Sequence, residues 1–212
     1  MTGILVIGAT GGVGRALCAL GIARGYQVSA LVRAPEPLAS FGTKLRVVVG
    51  DPLDAGTVAR AAGDSDAIVS ALGARGTGPT TIHADGARSV VAALRGDTTR
   101  RVVMVSAAML FEDAGVIAAL LRTTVLRHVA RDSRVAESIF MSSALDWTIV
   151  RPPRLTNGPP TQGWQVAEGH LPRGGKSSIS RADVAHCLLE EAKRTAPSRR
   201  LLGVAVRAPD EG

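Results

Sequence analysis

Gly8, Gly11 and Gly14 recur at every third position of IGATGGVG (residues 7–14), directly behind the apolar run 4–7. Glycines spaced in this way can bring backbone amides up to phosphate oxygens with no side chain in between. The first allows a sharp turn after a strand. The second lets the backbone approach a pyrophosphate, and the third lets the next helix pack closely on the sheet. The helix start adds free N–H groups and a positive dipole end, and Thr10 adds a hydroxyl donor. A glycine motif alone is weak evidence. This one has a strand before it, a helix after it and a second strand about 20 residues on, so it predicts a dinucleotide site.

The second strand ends Ala30-Leu31-Val32-Arg33. A site for NAD(H) usually carries an acid there to hold the ribose 2′-hydroxyl. A cation stands in its place, and a guanidinium suits a 2′-phosphate by charge and by its forked donors. The cofactor expected is NADP(H) in preference to NAD(H).

The elements that must position these residues alternate. Strands are expected at 4–7, 28–32, 45–49, 67–70, 101–105, 146–150 and 201–206. Helices are expected at 12–24, 55–62, 81–94, over much of 117–142 and at 182–193. The last opens with a capping box, Ser180-Arg181-Ala182-Asp183. Alternation of this kind predicts an α/β fold, a doubly wound, mostly parallel sheet of the Rossmann type in a single domain over 1–206, with a tail at 207–212. Residues 152–176 break the rhythm with five prolines and five glycines. They read as an irregular segment walling the substrate pocket.

Composition narrows the function. In 212 residues, 46% are apolar and 20% charged, as in an ordinary globular chain. Aromatics are only 3%, and the net charge is +7. The arginines are scattered, and the densest group is Arg122, Arg127, Arg131 and Arg134. With so few aromatics to stack on bases, no nucleic-acid partner is expected. Nothing in the chain is long and apolar enough to span a membrane, and no leader pattern opens it. Cys18 and Cys187 lie far apart in apolar helical patterns, which suits two buried thiols in a reducing cytoplasm. No metal-ligand spacing occurs. His83, His128 and His186 read as packing or surface residues, and His170 as one that reaches toward the pocket.

These pieces add up to a resemblance. GATGGVG (8–14), LVR (31–33), VVVGD (47–51), SALG (70–73), PTTIHADGARSVVAAL (79–94), RVVMVSAAML (101–110), DWTIVRPPRL (146–155) and SISRADVAH (178–186) occur in order along nearly the whole chain. Together they resemble the atypical short-chain dehydrogenase/reductases. The closest group is the biliverdin-IXβ reductase/flavin reductases, with the NmrA-like proteins as wider relatives. The resemblance implies that Gly8, Thr10, Gly11, Gly12, Val13 and Gly14 hold the pyrophosphate and that Arg33 holds the 2′-phosphate. Asp51 and Leu53 would lie at the adenine, and Leu72 and Gly73 along the cofactor path. Ser106 would face the nicotinamide, and Pro152, Pro153 and Arg154 would line its far side. Two positions depart from the group. Pro37 stands where a second basic residue follows LVR. Arg154 stands where a histidine follows the proline pair, and it suits an anionic acceptor other than biliverdin.

Ordinary short-chain dehydrogenases exchange a proton with an alcohol through a Tyr-x-x-x-Lys pair. The one tyrosine here is Tyr26, in the wrong place, and the corresponding helix reads RDSRVAE (131–137). A flavin or tetrapyrrole reductase needs less, because the cofactor supplies the hydride and the protein supplies orientation. Ser106 either positions substrate or nicotinamide by a hydrogen bond or satisfies a strand end. Trp164 would stack on an aromatic acceptor. The expected function is an NADPH-dependent reductase of a flavin or other small conjugated acceptor, acting as a monomer or weak homodimer. The alternatives are a non-catalytic NADP(H)-binding regulator and an epimerase or dehydratase.

Overall fold

The computed structural model describes residues 3–112, 114–161, 163–196 and 199–207. In chain order the elements are β1 (Gly3–Ile7), α1 (Gly12–Ala23), β2 (Gln27–Val32), a 3-10 segment (Glu36–Lys44), β3 (Arg46–Val49), α2 (Ala55–Ala62), β4 (Ala67–Ser70), α3 (Ile82–Ala93) and β5 (Arg101–Val105). Then come a 3-10 turn (Ala108–Leu110), α4 (Val116–Thr123), α5 (Arg127–Met141), β6 (Asp146–Arg151), β7 (Arg154–Thr156), β8 (Trp164–Glu168), β9 (Ser178–Ser180), α6 (Arg181–Ala192) and β10 (Arg200–Val206).

The main sheet runs β3-β2-β1-β4-β5-β6-β10-β8. Every pairing in it is parallel except β10 with β8. This is the expected doubly wound fold. Its central strands are buried on both faces because each face carries helices. Alternation along β1 shows how. Ile4 and Val6 join Leu17 and Cys18 of α1 and Val184 and Leu188 of α6. Leu5 and Ile7 turn the other way, to Val58 of α2, Val90 of α3 and Phe140 of α5. Small aliphatic side chains fill both layers, and Phe140 and Trp147 supply aromatic bulk to the second. The expected capping box is in place, with the Ser180 hydroxyl oxygen accepting from the Asp183 amide.

Two expectations change. The helical stretch 117–142 is two helices, α4 and α5, parted at Thr124–Leu126. The β-branched run Thr123-Thr124-Val125 sits at the break, where branched side chains crowd a continuing helix. The segment 152–176 is not simply irregular. β7 pairs with β9 in a small parallel sheet, and β8 completes the far edge of the main sheet. A five-residue edge strand among prolines and glycines leaves little sequence pattern to detect. Of the expected tail, only Arg207 lies among the described residues.

Candidate functional site

β1 and β4 end side by side where the sheet order reverses, which is where open α/β sheets bind ligands. The glycine turn crosses this point. Gly8 has φ +84°, and a Cβ there would stand 2.5 Å from the carbonyl oxygen of Ala71, so β4's end lies directly against it. The Gly11 amide donates to the Gly8 carbonyl at 3.0 Å and closes the turn. A Cβ on Gly14 would overlap that same carbonyl oxygen and lie 2.8 Å from Ala9 Cα. Gly14 therefore seats the helix on the turn. A Cβ on Gly11 would meet only the Gly8 oxygen, at 3.3 Å, among the described residues. Thr10, Gly11 and Gly12 are exposed, while Val13 and Gly14 are buried. No side chain caps α1, and its first turn holds no acid. Among the described residues nothing caps its leading amides and dipole end, which fits a pyrophosphate.

Arg33 lies exposed just past β2. A second arginine reaches the same corner from α1. The Arg15 guanidinium donates to the carbonyl of Pro37, lies 3.5 Å from Ser40 Oγ and sits 5.8 Å over the Phe41 ring. Pro37 removes one expected cation, and Arg15 brings another to its backbone. The sequence displays Arg15 next to Gly14 but not its direction, which depends on where residues 36–44 return.

Asp51 lies exposed two residues past β3, with Oδ1 accepting from the Leu53 amide at 3.0 Å. Leu53 and Leu72 meet over Gly86 of α3, where a Cβ would overlap Leu72. Gly73 is exposed just beyond. Farther along this edge, Ser106 follows β5. Its amide donates to Val150 at 2.8 Å, while its hydroxyl is buried without a hydrogen-bond partner among the described residues. The buried Pro152 accepts from the Ala108 amide at 2.8 Å, tying this loop to β6. Pro153 is half-buried, and Arg154 points to solvent at the start of β7.

The structure moves Trp164 away from the role expected of it. It opens β8, three strands from β5, and packs against the α1–α6 core layer. Exposed His170 hydrogen-bonds the Leu171 carbonyl at 2.7 Å instead of reaching a pocket. His128 lies 3.2 Å from Arg127 and His186 lies 3.1 Å from Arg24. Cys18 and Cys187 are free and buried, and burial pushes the Cys18 thiol up to about 12.

Two carboxylates that the sequence did not single out dominate the helix where a Tyr/Lys pair would sit. Asp132 accepts from the amides of His83 and Ala84 at 3.0 Å each and so caps α3 from α5. Its Oδ2 also lies 2.9 Å from His83 Nδ1. Glu137 takes Arg151 through both oxygens, at 2.9 and 2.6 Å, and the same guanidinium stacks 4.5 Å over Phe111. All four ionisable groups are buried. These pairs lock α5 to α3 and β6. On the same edge of the sheet a shallow, open cleft of about 520 Å³ lies between Thr77-Gly78, after β4, and Thr123, Thr124, Val125, Arg127 and His128, at the α4–α5 junction. α4 beside it exposes Val116, Ile117 and Leu120.

A family model described as NAD(P)H-binding matches residues 8–195. Solved structures match across the whole length. A protein from Lactobacillus casei superposes with a TM-score of 0.83 at 22% identity, covering 98% of this chain and 100% of its own. ChuY, an anaerobillin reductase from Escherichia coli O157:H7, is 25% identical with a TM-score of 0.77, covering 100% of this chain and 99% of its own. A short-chain dehydrogenase/reductase from Veillonella parvula DSM 2008, solved in complex with NADP, is 21% identical with a TM-score of 0.76, covering 99% and 95%. Among the described residues no helix is long and apolar enough to cross a membrane, and no acid, histidine and cysteine cluster could hold a metal ion.

Proposed function

This chain belongs to the NAD(P)H-binding family as an NAD(P)H-dependent oxidoreductase, and on that premise we propose a reductase that uses NADPH to reduce a flavin or another small conjugated acceptor. The observation that carries this reading is the state of α5. Where a proton-exchanging Tyr/Lys pair would stand, Asp132 and Glu137 are committed to His83 and Arg151. Neither carboxylate is free to serve an alcohol, and α5 carries no tyrosine or lysine. A flat conjugated acceptor needs that service least, because its protons can come from water.

A bound nicotinamide supplies the hydride. The glycine turn and the α1 amides hold the pyrophosphate, and Arg33 with Arg15 favours the 2′-phosphate. Asp51, Leu53, Leu72 and Gly73 border the adenosine half. The unpartnered Ser106 hydroxyl donates to the nicotinamide or to the acceptor, where a buried O–H gains most from a partner. Pro152, Pro153 and Arg154 border the far side. ChuY, a reductase at 25% identity over essentially the full length, supports turnover over mere sensing. The chain acts as a monomer or weak homodimer.

NADPH consumption with FMN, FAD, riboflavin or a quinone tests the proposal. The expected result is consumption with at least one acceptor and a slower rate with NADH. Tight NADPH binding without turnover across the panel would replace the enzyme with a regulator.

A further inference from the structure

Arg181 is the first residue of α6, yet its side chain belongs to α1. Its Cδ lies where a Cβ on Gly12 would stand, and its Nε would be 2.7 Å from that Cβ. Glycine at position 12 therefore admits an arginine onto the start of α1. The guanidinium donates through Nη1 to the amide oxygen of Asn157 at 2.6 Å. Some arginines of this chain pair with carboxylates, among them Arg24 with Glu190 and Arg101 with Asp146, while Arg15 takes the Pro37 carbonyl. Arg181 takes a neutral amide and stands at the positive end of α1, which has neither an acid nor a side-chain cap. A cation over a helix N-terminus is electrostatically unfavourable unless an anion joins them.

From this we infer that Arg181 is a cofactor-binding residue that closes over the pyrophosphate from the side opposite the glycine turn. The inference rests on the dinucleotide reading and deepens it. The diphosphate lies between the α1 amides and the guanidinium, whose fork matches two phosphate oxygens. Asn157 holds the arginine when no phosphate does. Asn157 follows β7 and Arg181 follows β9, so this bond joins the two strand ends of the small sheet. Cofactor binding takes Arg181 from Asn157 and loosens that sheet, which links cofactor occupancy to the segment on the far side of the nicotinamide.

Titrations of the wild type, R181Q, R181K, G12A and N157A with NADPH, NADH, ADP-ribose and 2′-AMP test this, with thermal unfolding as the folding check. R181Q is expected to weaken NADPH, NADH and ADP-ribose alike by about tenfold or more and to leave 2′-AMP unchanged. R181K recovers part of the loss. G12A, which keeps the charge but displaces it, is expected to weaken the same ligands, and adding R181Q to it costs little more. N157A binds as well as the wild type or better. Unchanged NADPH affinity in a folded R181Q, or a loss shared by 2′-AMP, overturns the inference alone. A wild type that binds none of the dinucleotides overturns the cofactor reading and this inference with it.

Discussion

α1 and α6 pack side by side on one face of the sheet, and they begin in opposite ways. α6 starts from Ser180, whose hydroxyl oxygen accepts from the Asp183 amide at 2.9 Å. The fully buried Asp183 carboxylate takes the Ser180 hydroxyl at 2.8 Å and the Thr161 amide at 2.8 Å. Its positive end is answered from within the chain. α1 starts from Gly11 with no side-chain cap and no acid in its first turn. Its positive end is left to a ligand. A helix start satisfied internally contributes stability, and one left open contributes binding.

The largest expected effect breaks the second half of that statement. Gly11→Val introduces a side chain that faces open space except for the Gly8 oxygen, so the fold should survive. NADPH affinity should fall by about a hundredfold or more, since several charge-assisted bonds are blocked together. Calorimetry on a folded variant checks this, and retained binding would remove α1 as the phosphate site. Gly14→Val should lose the fold as well, because its side chain would enter the Gly8–Ala9 backbone. Next in size is Arg33→Ala. NADPH should bind about tenfold more weakly while NADH is unaffected, because only one carries the 2′-phosphate. Equal losses would assign Arg33 a structural job instead. Ser180→Ala sharpens the first half. It should cost about 1 kcal/mol of stability in denaturant unfolding, with NADPH affinity little changed. The smallest effect concerns the thiols. With Cys18 pushed up to about 12 by burial, and Cys187 raised by the same cause, neither should react with a disulfide probe at neutral pH until the protein is unfolded.

The same contrast explains what the sequence made legible. Local pattern suffices for the glycine turn, Arg33, the Ser180 cap and the alternation of strands and helices, because each depends on neighbours a few residues away. Arg15 and Arg181 are as visible in the sequence as Arg33, but their meaning lies in where they reach. Arg15 reaches Pro37, and Arg181 reaches Gly12 across two packed helices. Asp132 caps α3 from 49 positions away. Trp164 misled for the converse reason. A lone tryptophan among prolines and glycines reads as a loop residue, and only the pairing of Trp164 with Val206 makes it part of a sheet.

That pairing also bears on synthesis. β8 is made before β10, yet β10 lies between β6 and β8 and is the strand that joins β8 to the main sheet. A ribosome extending this chain produces the glycine turn and the first six strands early. The edge strand then waits without a main-sheet neighbour until Arg200–Val206 emerges, and α6, which shields α1, arrives only shortly before. The nascent chain thus carries a cofactor-binding turn whose covering layer is completed last, and a chain cut before Arg200 would strand β8 with its backbone groups exposed to pairing with other chains.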